Sequence, residues 1–288
     1  MNYVLWSVLL LGCSLYIFDN YTIGTKKFVI RDEAIPKSFD GFRILHLSDL
    51  HNSTDGKGNE TIIRKVNELQ PDLIFYTGDM VDRDTYRSDS FINLAKELAK
   101  AYPAYYIMGN HEDDLGLKEK KKLLEEIGNM GIRVLHNERV NLRREDGEIS
   151  LYALNLEPKY GRNTYHKKTG ELSLKKADIE TLLGMKKEGF NILLSHNPLY
   201  FEAYADYGAD LTFSGHLHGG LIRLPFVGGL LSPDRVFNPK YDRGLYMRNG
   251  SRIIVSPGMG GRRLRIFNRP MIYLAVLECD TQGESLTV

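Results

Sequence analysis

The chain has 288 residues, 42% of them hydrophobic and 26% charged, and carries a formal net charge of +1. That is room for one large domain or two small ones, and a charge so balanced supplies no global attraction to nucleic acid, so any anion binding has to be local. With two cysteines, Cys13 and Cys279, neither a disulfide framework nor a Cys-rich zinc site can be built.

The first element is apolar. Tyr3 to Phe18 is a run of sixteen residues without a charge, and Tyr21 and Ile23 extend it past Asp19. A spanning helix needs about 20 apolar residues, and Trp6, Tyr16 and Tyr21 are aromatics of the kind that favour membrane interfaces. A buried helix and a cleaved signal peptide are the competing readings. The segment lacks the basic n-region and the A-x-A site of a signal peptide, so residues 1–24 are expected to form a retained single-pass anchor in the cell membrane. No Lys or Arg precedes the run, whereas Lys26, Lys27 and Arg31 follow it. That bias favours the cytoplasmic side for the remainder of the chain, with Asp19 a small counter-signal.

Residues 25–40 read as a connector with one short strand, Lys27 to Ile30. From 41 to 288 strands and helices alternate. FRILHLS (42–48), DLIFYTG (72–78) and AYYIMGN (104–110) are β-compatible runs, separated by helical spacing at 59–69 and 89–101 and followed by a Lys/Glu-rich helix at 117–129. IRVLHN, RVNLRR and EISLYALN are predicted as neighbouring strands of a meander, with Asp146-Gly147 as a hairpin turn. A helix at 177–188, the strands FNILLS and DLTFS, and two final strands, SRIIV and MIYLAVLEC, complete the pattern. Such alternation predicts an α/β domain with a parallel sheet covered by helices.

Five blocks each follow an apolar run: Asp49-Leu50-His51, Gly78-Asp79-Met80-Val81-Asp82, Gly109-Asn110-His111-Glu112, Ser195-His196-Asn197-Pro198 and Gly215-His216-Leu217-His218-Gly219-Gly220. Ligand sites in open α/β sheets gather at the carboxyl ends of strands, so distant blocks can meet. Together they offer carboxylates, imidazoles and one amide but no thiolate, a set suited to Mn, Fe, Zn, Co or Ni. Two ions about 3.5–4 Å apart clamp the attacking and leaving oxygens of a phosphoryl transfer and generate a hydroxide nucleophile at neutral pH. A single block is weak: His46, His136 and His166 are read as ordinary structural histidines, and a lone GD or GN is usually a turn.

The series DxH, GDxxD, GNHE, H, GHxHGG resembles the calcineurin-like metallophosphoesterase superfamily. LLSHNP, GHLHGGLIRLP and VSPGMGG resemble its bacterial, membrane-associated YkuE/YaeI-type phosphodiesterase branch, which includes relatives of UDP-2,3-diacylglucosamine pyrophosphatase. The resemblance covers about residues 40–275 and implies a four-layered α/β/β/α sandwich behind the N-terminal apolar helix. It implies that Asp49, His51, Asp79 and His218 hold one divalent metal ion and Asp79, Asn110, His196 and His216 a second. It also implies that His111 contacts the phosphate or protonates the leaving oxygen, with Glu112, where many relatives have Asp, orienting His111.

The expected activity is phosphodiester hydrolysis. The alternatives are a pyrophosphatase for a nucleotide-diphospho-sugar lipid, a protein phosphatase, and a metal-free binding scaffold, against which the complete ligand set argues. No nucleic-acid or protein partner is indicated. LIRLPFVGGLL (221–231) is either a buried loop or a lip facing lipid. Arg223, and Arg262, Arg263 and Arg265 after a Gly-rich turn, are candidate substrate contacts, or else a solvated basic face.

Overall fold

A computed structural model describes residues 2–53, 59–156, 174–220, 223–224, 227–231, 237–260 and 265–280. The chain opens with helix α1 (Asn2–Tyr21) and strand β1 (Gly24–Asp32). Then β2 (Arg43–Leu47), α2 (Glu60–Leu69), β3 (Leu73–Thr77), α3 (Asp89–Leu98) and β4 (Ala104–Ile107) alternate as predicted. A short α4 (Asn110–Asp113), α5 (Leu117–Asn129) and β5 (Arg133–Val134) lead to the hairpin β6 (Glu138–Arg144) and β7 (Gly147–Leu154). The second half runs α6 (Lys176–Leu183), β8 (Asn191–Ser195), α7 (Phe201–Tyr207) and β9 (Leu211–Ser214). A small ladder of β10 (Arg223–Leu224) and β11 (Gly228–Gly229) precedes β12 (Gly244–Arg248), β13 (Ser251–Val255) and β14 (Met271–Cys279).

Two mixed six-stranded sheets form among the described residues, in the orders β1-β14-β2-β3-β4-β5 and β12-β13-β9-β8-β7-β6. Their inner strands β2, β3, β8 and β9 are buried on both faces, which is why they read as continuous apolar runs instead of alternating patterns. The pleat divides each run between two cores. Leu45, Ile74 and Tyr76 face Ile62, Phe91 and Leu123 from α2, α3 and α5, whereas Ile44, Phe75 and Ile107 face Ile192, Leu194 and Phe213 of the other sheet. On the far side, Leu193 and Ile253 pack with Ile179 of α6 and Phe201 and Tyr204 of α7. The layering is therefore helix, sheet, sheet, helix.

Three expectations change. IRVLHN does not join the meander: β5 lies parallel to β4 in the first sheet, and only β6 and β7 form the hairpin in the second. The chain switches sheets at Asn137, whose φ of 46° makes a turn that short-range spacing does not reveal. The expected connector at 25–40 holds an edge strand longer than Lys27 to Ile30, paired in parallel along its whole length with β14.

The third concerns the N-terminus. Among the described residues no helix is long and apolar enough to cross a membrane, so the expected transmembrane anchor is not shown. Asn2, Ser7 and Ser14 dilute its apolar character, and its end belongs to the domain. Asp19 is buried and accepts a hydrogen bond from Phe267 N at 2.5 Å, and the Asn20 side chain bonds both the N–H and the C=O of Arg265. Ile23, counted above as an extension of the run, lies in the core. The rest of α1 exposes large apolar side chains, among them Leu5, Trp6, Leu9 and Leu10.

Candidate metal centre

The loops that follow β2 and β3 are stitched together by their backbones: Asp49 N donates to Gly78 O at 3.1 Å and His51 N to Asp79 O at 3.0 Å. The loops after β8 and β9 are joined likewise, Gly215 N donating to His196 O at 3.0 Å. The two sheets are tied at this edge by His216 N, which donates to Asp49 Oδ1 at 3.0 Å. Asp49, His51, Asp79, His216 and His218 all have left-handed backbones, with φ of 54°, 49°, 52°, 72° and 53°. For residues with a Cβ this costs about 1–3 kcal/mol each and persists only where the surroundings enforce it, as they commonly do at functional sites. Gly78 shows the enforcement. Its φ is 87°, and a Cβ there would collide with Gly109 N, so only glycine lets the second and third blocks touch.

The five blocks converge. Asp49, His51 and His218 form one group, and Asp79, His196 and His216 another. His51, Asp79 and His111 form a third that links them, the ligand atoms within each group lying within 4.8 Å of one another. His51 Nε2 stands 3.0 Å from His218 Nε2, which is 3.5 Å from Asp49 Oδ1. His196 Nε2 is 3.3 Å from Asp79 Oδ2.

Two observations test whether these residues fit divalent ions. His196 Nδ1 donates to Thr77 O at 2.6 Å, which fixes its proton there and leaves Nε2 as a lone pair aimed inward. His196 Nε2 and Asn110 Oδ1 are both buried without a hydrogen-bond partner. An unpartnered buried acceptor costs about 1–3 kcal/mol, and two of them, one 3.3 Å from the buried carboxylate of Asp79, fit cations, not a packed core. The electrostatics agree. Burial pushes Asp49 up to about 6 and lowers His51 to about 3. Burial would also lower His196, but Asp79 and Asp49 outweigh it and raise the imidazole to about 10. Such a site competes for protons as it would for metal.

Two residues with predicted catalytic roles differ in what they touch. His111 N donates to Asp79 Oδ1 at 2.7 Å, and its Nδ1 accepts from Arg83 N at 3.3 Å, which leaves the Nε2 proton free 3.9 Å from Asp79 Oδ2. Glu112 bonds backbone groups, not the His111 ring. Its carboxylate is fully buried and accepts from four backbone N–H groups: Asp79 and Gly109 at 2.8 Å on Oε2, Met80 at 2.8 Å and Val81 at 3.3 Å on Oε1. It grips the loop that presents Asp79.

The arginines divide. Arg223 pairs with Asp242. Arg265 is buried, and its guanidinium donates to the carbonyls of Pro257, Gly260 and Asn268, so it braces a loop and is closed to a phosphate. Arg262 and Arg263, like His166 and parts of 221–231, lie outside the described residues. Of the other histidines, His46 is buried against Thr77 Oγ1 at 2.8 Å, beneath the residue whose carbonyl holds His196, and His136 is exposed; neither joins the groups above.

The family description "Calcineurin-like phosphoesterase" matches residues 42–220, more than half of the chain. The chain belongs to the calcineurin-like phosphoesterases. It is 33% identical to metallophosphoesterase YkuE of Bacillus subtilis, over 90% of this chain and 87% of that one. It is 27% identical to phosphodiesterase YaeI of Escherichia coli, over 86% and 84%. It is 26% identical to UDP-2,3-diacylglucosamine pyrophosphatase LpxG of Chlamydia muridarum, over 86% and 87%. As a metallophosphoesterase it is a hydrolase of phosphoester bonds, and the clustered histidines and aspartates are groups that could hold its metal ions. Several residues that shape this phosphoesterase's site carry no motif. Asn268 donates to His218 O at 2.6 Å and Gly220 O at 2.8 Å, and Asp242 gathers Arg223, Gly229 N and Tyr246 around the loop after His218. They come from strand-free segments in which single polar residues look like any turn.

Proposed function

We propose that this phosphoesterase hydrolyses phosphodiesters, with Asp49, His51, Asp79 and His218 holding one divalent ion and Asp79, Asn110, His196 and His216 the other. The observation that carries the reading is the sharing of Asp79 between groups that otherwise draw on different loops. Two bound ions would polarise the phosphoryl oxygens and lower the pKa of water, in the manner of other two-metal hydrolases. The chain's own residues supply the remainder. Asp79 faces both sides of the site while its Oδ1 is fixed by His111 N. The tautomer set by Arg83 N gives His111 an Nε2 proton to donate to the substrate, and the site's depth keeps these groups away from bulk water. The orphaned acceptors of His196 and Asn110 argue against a metal-free scaffold.

His111→Ala is expected to retain both metals and lose about 10²–10⁴-fold in kcat, the range for a positioned acid. The loss shrinks for esters with good leaving groups, such as nitrophenyl esters, if His111 protonates the leaving oxygen. Comparison of a nitrophenyl and an alkyl diester, with metal analysis of the same preparation, reads this. Metal lost together with activity would refute the role.

We further infer that residues 41–288 form the catalytic body and that α1 lies against a lipid surface without crossing it. Leu5, Trp6, Leu9 and Leu10 are 49–67% exposed, and each apolar side chain buried is worth about 1.5–3 kcal/mol. This placement favours a lipid-linked phosphoester, the class named for the LpxG relative, as the alternative substrate. The full chain is expected to sediment with phospholipid vesicles. Replacing those four residues together by glutamine should release it to the supernatant with hydrolysis of a water-soluble diester retained. A full chain that stays in the supernatant contradicts the inference.

A further inference from the structure

Beside the metal centre a cavity of about 650 Å³ opens between the β10–β11 ladder and the segment from Asn238 to Tyr246. Three cations line it, Arg223, Lys240 and Arg243, with Val227, Tyr246 and Phe267 among the other walls. Two of the cations are compensated. Arg223 Nη1 contacts Asp242 Oδ2, and Lys240 Nζ is 2.7 Å from Glu202 Oε1. Arg243 is not. Its Nη1 donates to the neutral amide oxygen of Asn268 at 3.2 Å, and among the described residues no carboxylate lies within ion-pair distance of it. Burial lowers its pKa and the charge of Arg223 lowers it further, and the more distant carboxylates of Asp242 and Asp19 offset this only in part. Two guanidinium groups facing one half-dry cavity repel, and partial desolvation raises the cost. An anion between them removes both penalties.

The position of this wall gives it a role. Gly219 directly follows the candidate ligand His218, and Arg223 Nη1 donates to Gly219 O at 3.4 Å. A Cβ at Gly219 would stand 3.2 Å from Arg243 Cδ, so the Arg243 stem packs against the same residue. Asn268 connects the two sites, receiving Arg243 on its oxygen while donating to His218 O at 2.6 Å. The cationic wall thus begins one residue from the metal centre. Val227 and Phe267, 59% and 43% exposed, add an apolar surface at its rim.

We propose that Arg243, flanked by Arg223 and Lys240, forms a subsite for a second anionic group, a phosphate or carboxylate that the phosphoester carries in addition to the one that is cleaved. The proposal rests on the phosphoesterase reading above and adds a preference: substrates with two anionic groups over those with one. Guanidinium pairing with phosphate supplies charge and two parallel hydrogen bonds, which lysine cannot reproduce.

A matched pair of esters tests it. Thymidine 5′-(p-nitrophenyl phosphate) and its 3′-phosphorylated counterpart have the same scissile bond and differ by one phosphate. The metal-loaded full chain is expected to show a KM about tenfold lower for the 3′-phosphorylated ester, the scale of one charge-assisted contact. Arg243→Gln is expected to raise that KM about tenfold with kcat little changed and to erase the difference between the pair. Arg243→Lys should restore it in part. The melting temperature of each variant reports whether the fold survives, and Lys240→Gln provides a milder second variant. Calorimetric Kd values for thymidine 3′,5′-bisphosphate and thymidine 5′-monophosphate read the subsite independently of turnover, so a failure to hydrolyse either ester would count against the phosphodiesterase reading alone. Equal KM and Kd for singly and doubly phosphorylated ligands in the wild-type chain, or an Arg243→Gln variant that weakens both equally, overturns the proposal.

Discussion

Asp79→Asn is expected to cut turnover by more than the ~10–100-fold that losing an outer partner of a metal site costs, and to lower bound metal from two equivalents, with the fold retained. The side chain is 2% exposed, its Oδ1 is held by His111 N at 2.7 Å, and its Oδ2 lies 3.3 Å from His196 Nε2. Asparagine keeps the shape and the acceptor that His111 N needs. What it removes is the negative charge that the two proposed ligand sets share, Asp79 grouping with His51 and His111 on one side and with His196 and His216 on the other. Because one atom set serves both sites, the loss should appear in both, in contrast to substitution of His218, which belongs to one. Metal analysis and kinetics on the same preparation decide the matter. A variant with two full equivalents and normal turnover would sink the shared role.

Glu112→Ala should act on stability first. Removing the carboxylate leaves the N–H groups of Asp79, Met80, Val81 and Gly109 without their acceptor in a fully buried position. Breaking a buried charged network of this kind costs about 3–5 kcal/mol, a melting-point loss on the order of 10 °C for a domain of this size. Metal content should fall with it, since the loop that loses its support carries Asp79. This outcome separates the observed contacts from a role in orienting His111. If Glu112 served His111, the substitution would lower kcat while leaving melting temperature and metal content near wild-type values, and thermal unfolding with metal analysis distinguishes the two.

The parallel strands and the blocks that follow them were legible because each strand is buried on both faces and ends in polar residues that no core would accept. Asp49, Asp79, Asn110, His196 and His216 were found at strand ends for that reason, and Asp79 gathers with His196 and His216 while Asp49 gathers with His51 and His218. Order within the sheets was not legible. β14 inserts between β1 and β2, parallel to one and antiparallel to the other, a pairing of residues more than 200 positions apart that no local pattern encodes. IRVLHN has the composition of its hairpin neighbours, and a single left-handed turn at Asn137 sends it to the other sheet. Asp19 looked like a flaw in an apolar run, yet its carboxylate fastens α1 to the loop that holds Arg265 and Phe267. Glu112 follows His111 in the chain, and the resemblance implied that it orients His111; its carboxylate instead meets four backbone N–H groups. Arg243 had no motif at all: its interest lies in a cavity-lining guanidinium without a direct ion pair, which only the packed structure exposes.

The central claim is that the loops after β2, β3, β4, β8 and β9 build one dinuclear centre around Asp79. Anomalous diffraction from crystals of the manganese-loaded chain tests it most directly. Two peaks about 3.5–4 Å apart are expected, one among Asp49, His51, Asp79 and His218 and the other among Asp79, Asn110, His196 and His216. A single peak, or metal seated away from Asp79 in a preparation that hydrolyses a phosphodiester, would contradict it.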